Sequence, residues 1–350
     1  MTKNLFKPFL ISFLVASLFA CSESEPERPL GKYEQGILIM NEGAFGVNDG
    51  EVFHLNTNTG ELRSNVFELE NGRPFAGLLQ DMILEEDRLY LVANTGKVEI
   101  VDARDFKSIG SVTEDLDISR SLTLSNGKLF ISDYGPYASD FSTPDSYVAV
   151  VTAADGGVVS KKIPVSRKPE DLISFGDFVF VAGSEEGKLE IIDAISETVT
   201  ASIDVEGNPA KFVESNGRTY LYAPGNGEAF FHEINTSNPG ILSTIKVSVE
   251  NPIGKSASDE AGILYILTST GFPDYVDGVA RIDLSSQTVV QNWYKGSGFY
   301  GIGYDPLARE VYVSNSNGFQ GNGTVTVLDQ DGSENRTFEV GRGPSGFLFR

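Results

Sequence analysis

The sequence predicts an all-β fold: a seven-bladed β-propeller closed by pairing of the C-terminal strand with the N-terminal blade. Three observations carry this reading. Apolar residues alternate at the period of strands, the pattern recurs at a blade-like spacing, and the two ends of the repeat are incomplete in complementary ways.

Residues 177–209 set the pattern. Apolar runs at 178–182, 189–192 and 199–205 are rich in Val, Ile, Phe and Thr and are separated by Gly, Glu, Ser and Asp. Runs of this length with period-two alternation indicate strands rather than helix. A fourth run, 210–214, follows the punctuation Gly207-Asn208-Pro209. Four strands make one blade.

The blade then repeats. The strand after each innermost strand begins near Ile37, Leu89, Leu129, Phe178, Thr219, Leu264 and Val311, roughly 40–50 residues apart, as expected for four-stranded blades. Third strands recur at 52–56, 98–102, 148–152, 189–193, 231–235, 279–283 and 325–329, and all but 148–152 end in Asp or Asn. Such side chains bond backbone two residues on and set tight turns, so they read as structural. The final stretch, 341–350, reads as an innermost strand with no successor, whereas 36–40 reads as a second strand with no predecessor. Phe347–Arg350 should therefore lie beside Ile37–Met40. Closure removes the exposed edges of an open sheet, and residues 36–350 form one domain because each blade buries its faces only against neighbours.

The first 35 residues are read differently. Lys3 and Lys7 precede an apolar stretch, 9–20, which is too short to span a bilayer and has the form of a signal peptide occupying 1–20. Leu18-Phe19-Ala20-Cys21 resembles the lipobox of bacterial lipoproteins, and Cys21 is the sole cysteine. Acyl chains on Cys21 would hold the protein on a membrane. The acidic run 22–27 makes residues 21–35 a flexible tether. It also resembles a signal that sends some lipoproteins to the outer face of the outer membrane, although a solvated linker reads equally well. The formal net charge of −22 becomes two units more negative once Lys3 and Lys7 leave. That disfavours nucleic acid and anionic membrane surfaces as partners.

Loops joining second to third strands, together with those leading into innermost strands, meet on one face of a propeller. Long insertions of the first kind fall at 41–50, 132–146, 268–278 and 314–323, in blades one, three, six and seven, against short counterparts elsewhere. The expected consequence is a cup with two facing walls. Its candidate aromatics are Phe45 in blade one, Tyr134, Tyr137 and Phe141 in blade three, Phe272 and Tyr275 in blade six, and Phe319 in blade seven. Phe75 and Tyr300 stand in lead-ins to innermost strands, and Asn41 opens the first insertion. Clustered exposed aromatics mark a binding surface, although some should pack beneath their own loops. Candidate cations at the same rim are Arg73, Arg120, Arg167, Lys255 and Arg342. They suit an anionic or carbonyl-rich ligand, or else pair with local acids such as Glu70, Glu170 and Asp171.

Catalytic signals are weak. His54 and His232, the only histidines, fall on third strands, and no His/Cys metal set, phosphate loop or nucleophile elbow is present. A calcium ion in the channel, held by carbonyls and Asp81 or Glu170, stays open as an expectation.

The Val-x-x-Ile-Asp strands and Gly-x-Pro lead-ins, such as Gly72-Arg73-Pro74 and Gly207-Asn208-Pro209, resemble YncE-like seven-bladed propellers across the mature chain. The opening Gly36-Ile37-Leu38-Ile39-Met40-Asn41-Glu42-Gly43-Ala44-Phe45-Gly46 is similar to that of surface lipoproteins which sit over outer-membrane TonB-dependent transporters and capture cobalamin. The resemblance implies a non-enzymatic surface protein without a cofactor, with a corrinoid as its ligand and a transporter as its partner. Two alternatives remain: a glycan- or protein-binding module using the same aromatics, and a metal-dependent propeller hydrolase such as a lactonase.

Overall fold

A computed structural model describes residues 28–271 and 273–350 of the chain. Cys21 and Phe272 lie outside the described residues, as does the signal segment. One compact unit spans Gly31–Arg350. Within it, seven four-stranded antiparallel sheets follow one another around a ring.

Each blade runs from an innermost strand outward in chain order, and blade one is completed by the end of the chain. Its innermost strand is Pro344–Phe349, which pairs with Ile37–Asn41 in the expected register: Ile37 opposite Phe349, Leu38 opposite Leu348 and Ile39 opposite Phe347. The bond from Arg350 N–H to the Gly36 carbonyl extends the ladder by one step.

The predicted second and third strands are all present, with ends shifted by a residue or a few. Asn56, Asp102, Asp193, Asn235 and Asp283 accept backbone N–H bonds from two or three residues ahead, so these side chains set the outer turns. Both histidines are buried strand residues. His54 Nε2 meets the Gln35 carbonyl at 2.8 Å, and His232 bonds Thr244 and the Glu206 carbonyl.

The core is divided among the blade junctions. Seven apolar clusters each join two neighbouring blades: Leu38, Val52, Leu89 and Leu91 link blades one and two, while Ile39, Tyr312, Val325 and Phe347 link seven and one. No blade has an apolar interior of its own, so each depends on both neighbours for burial.

Two features depart from the sequence reading. Blade one has only a two-residue fourth strand, Leu62–Arg63, followed by a helix, Val66–Asn71. Val66 and Phe67 are buried in the junction with blade two, and Asn71 bridges to it by donating to the Phe106 carbonyl and accepting from Ser108 N–H. The packed body also begins before Gly36, which corrects the expected extent of the tether. Tyr33 is fully buried, sits edge-on to His54 and Phe106, and donates to Glu70 at 2.6 Å.

Candidate functional site: the channel mouth

The connections 42–50, 134–146, 270–276 and 316–323 rise from blades one, three, six and seven, whereas the equivalents in blades two, four and five span 94–96, 184–187 and 225–227. These long loops stand at the end of the channel where the innermost strands begin. At this end six of the seven innermost strands carry a β-bulge. Gln80, Glu170, Tyr300 and Ser345 are the extra residues of their bulges, and Arg120 falls within the corresponding irregularity of blade three. A bulge leaves one residue out of the ladder and re-aims its side chain.

Apart from Ser345, the re-aimed side chains form a polar belt across the mouth. Tyr300 donates to Glu42, whose other carboxylate oxygen accepts from Gln80 Nε2 at 2.7 Å. Arg120 donates to Gln80 and to Glu170, the latter at 3.2 Å, and Tyr134 donates to Glu170. The Arg120 guanidinium also lies over the Tyr134 ring, 5.0 Å from its centroid. Burial works against the charge on Arg120, but Glu170, Tyr134 and Glu42 outweigh it and hold its pKa above the ordinary value. Burial pushes both phenols up, with Glu170 adding to the rise at Tyr134 and Glu42 at Tyr300 against the opposing charge of Arg120, so both stay protonated donors.

Two cavities that share Gln80, Asp81, Lys211 and Lys255 lead into the channel, the outer one lined by Arg120 and Glu170 of the belt. The outer one holds about 1100 Å³ of empty space, open solvent included. On one wall Ser121 Oγ lies 2.6 Å from Asp81 and 3.1 Å from Asp171. Burial raises Asp171 to about 6 despite the opposing charge of Lys211, and the nearby Asp81 adds to the rise. Among the described residues no group of three or more His, Cys, Asp or Glu is placed to hold a metal ion, and Glu170 is engaged by Arg120 and Tyr134.

The Asn41-Glu42-Gly43 opening has a local explanation. Asn41 is buried and its amide donates to the Ile39 and Glu51 carbonyls, so it braces the loop rather than facing the mouth. Glu42 supplies the acid of the belt. Gly43 has φ +88°, and a Cβ there would stand 2.4 Å from Gly50 N, so only glycine turns the chain at this point.

The predicted site residues divide into groups. Arg120, Tyr134, Lys255 and Tyr300 meet at the mouth, with Phe319 edge-on to Tyr300 at 4.9 Å. Phe45, Tyr137, Phe141 and Tyr275 stand exposed at 88, 58, 84 and 52 % on the long loops. Phe75 corrects the expectation of a rim aromatic: it is buried in the junction of blades one and two against Phe67. Arg73 is held by Glu99 in a bidentate pair at 2.7 and 2.8 Å, and Arg167 pairs with Glu185 and Glu186 of its own blade. Arg342 reaches Asp49 at 3.5 Å. Sequence reasoning missed Glu42, Gln80 and Lys211. A blade-by-blade alignment would have exposed Gln80, because it occupies the position of Arg120, Glu170 and Tyr300.

Solved structures share this architecture. The periplasmic gluconolactonase PpgL of Pseudomonas aeruginosa matches with a TM-score of 0.64 at 16% identity, over 89% of this chain and 98% of that one. A quinonprotein alcohol dehydrogenase-like protein from Bacteroides thetaiotaomicron matches with a TM-score of 0.66 at 14% identity, over 91% of this chain and 78% of its own. At such identities the likeness is one of fold. No curated protein matches the sequence. A family model does, over residues 35–340, the whole ring short of its closing strand, and the chain belongs to that family, the domain of unknown function DUF5074.

Proposed function

We propose that the mouth of this propeller captures cobalamin or a related corrinoid without altering it and passes it to an outer-membrane TonB-dependent transporter. The observation that carries the reading is the pairing of a polar belt with exposed aromatics on the long loops of the same end: Phe45, Tyr137, Phe141 and Tyr275 stand on loops of three blades. Exposed aromatics gathered at one end of a molecule mark an interaction surface. A corrinoid is a broad disk edged with amide arms. It suits apolar rings on its faces and donors such as Arg120 and Tyr134 at its edge. The lipobox-like Leu18-Phe19-Ala20-Cys21 and the acidic run after it support a lipid-anchored protein facing the cell exterior.

The test is to mix the purified mature protein with cyanocobalamin and follow red absorbance on gel filtration. Co-elution is expected, and its absence refutes the reading. Replacing Phe45, Tyr137 and Phe141 together with Ala should weaken binding at least tenfold, or ~1.4 kcal/mol, and leave the melting temperature unchanged. Saturable binding of an oligosaccharide with no affinity for corrinoid would favour a glycan-binding module. The likeness in fold to PpgL makes a lactonase the second reading, and turnover of gluconolactone abolished by chelation would select it.

A further inference from the structure

We infer that the channel beneath the belt is a binding site for a tetrahedral oxyanion of the phosphate class, held between Lys211 and Lys255 with the hydroxyls of Ser256 and Ser345. These four residues come from blades five, six and one, and all line the inner cavity, which encloses about 720 Å³ of empty space including the part open to solvent. Ser256 and Ser345 are more than nine-tenths buried, and their Oγ atoms have no hydrogen-bond partner. Buried hydroxyls without partners are rare in folded proteins and call for an explanation.

Two ammonium groups face the same cavity, Lys255 half-buried and Lys211 open to solvent. Neither Lys211 nor Lys255 appears in an ion pair or hydrogen bond among the described residues, whereas Arg120 beside them has both. The nearest feature to Lys255 Nζ is the face of Tyr300, 5.6 Å from the ring centroid. Burial lowers the Lys255 pKa, Lys211 and Arg120 add to the fall, and Glu42 and Glu170 only partly oppose it.

The acids of the channel do not fill this role. Asp81 accepts from Met82 N–H and Ser121, and Asp171 accepts from Leu172 N–H, Phe212 N–H and Ser121. Glu42 and Glu170 are engaged in the belt above. The channel thus has hydrogen-bonded acids on blades two and four, and on blades five, six and one two lysines outside any ion pair beside two buried hydroxyls without partners. A phosphate carries close to two negative charges and several acceptor oxygens, which matches two ammonium groups and two hydroxyls. The inference stands apart from the corrinoid reading because it needs nothing from the loop aromatics, although Lys211 and Lys255 also line the outer cavity beside the belt.

The source of the oxyanion is either the free ion or the monoester head of a larger ligand. The mature protein is titrated with inorganic phosphate, and separately with glycerol 1-phosphate, at ionic strength held constant with sodium chloride. Binding is read by calorimetry and by the rise in melting temperature. Saturable binding of both probes identifies the monoester source, and binding of phosphate alone identifies the free ion. Lys255→Met and the double variant Ser256→Ala/Ser345→Ala should each weaken phosphate at least tenfold, while Lys188→Gln, the partner of exposed Asp204 in blade four, should leave it unchanged. The double variant decides the matter if Lys255→Met fails to fold. No saturable response to either probe, or equal affinity in the folded variants, overturns the inference.

Discussion

Deleting residues 344–350 tests the ring at its seam. The strand Pro344–Phe349 supplies five paired positions to Ile37–Asn41. Phe347, Leu348 and Phe349 pack in part against the junctions of blade one with its neighbours. Half-burial of three large side chains contributes roughly 1 kcal/mol each, and the ladder bonds add about 0.5–1.5 kcal/mol apiece. The total of at least ~5 kcal/mol is comparable with the whole stability of many domains. The deletion also leaves Ile37–Asn41 as a bare apolar edge. Trp293, the single tryptophan, lies in blade six at 5.0 Å from the Tyr265 ring and therefore reports unfolding far from the cut. In urea the midpoint should fall by on the order of 1 M, with oligomers on gel filtration. A truncated monomer with an unchanged midpoint would show that the seam does not hold the ring.

Two further predictions concern the first blade. Glu51 is buried, and burial raises its pKa from 4.5 to about 7 even though Val52 and Phe67 N–H groups donate to it. The folded state therefore holds a proton that the unfolded state releases between pH 4.5 and 7, so this group's contribution falls through that window and the loss is complete above it, by at most ~3 kcal/mol. Glu51→Gln, which keeps an acceptor for both amides, should raise the melting temperature at pH 8 and scarcely change it at pH 4.5; an equal change at both would refute the assignment. Gly43→Ala places a Cβ 2.4 Å from Gly50 N at φ +88°. It should cost about 1–3 kcal/mol in thermal denaturation, and neutrality would mean that the loop relaxes freely.

The ring was legible in the sequence because it is written in short-range terms: period-two alternation, spacing between equivalent strands, and Asp or Asn at outer turns. The helix Val66–Asn71 was not, since six residues offer too little periodicity, and its two buried positions serve a junction with another blade. The candidate site was legible only in outline. Arg73 and Arg120 look alike in the sequence, yet Arg73 meets Glu99 on a third strand while Arg120 sits in a bulge and points into the channel mouth. Partners such as Tyr300 and Glu42 stand 258 residues apart, and only closure of the circle brings them together. Phe75 shows the converse, an aromatic in the expected place whose ring turned inward to fill a junction.

Because Gln80, Glu170, Tyr300 and Ser345 stand outside the register of their strands, their identities are decoupled from the ladder that holds each blade. Such positions behave like letters on the tumblers of a lock: they touch one another only through the belt, and one can be exchanged without disturbing the ladder of any blade. Selection can respell the mouth while leaving the barrel of the lock untouched, and relatives should diverge fastest at these letters.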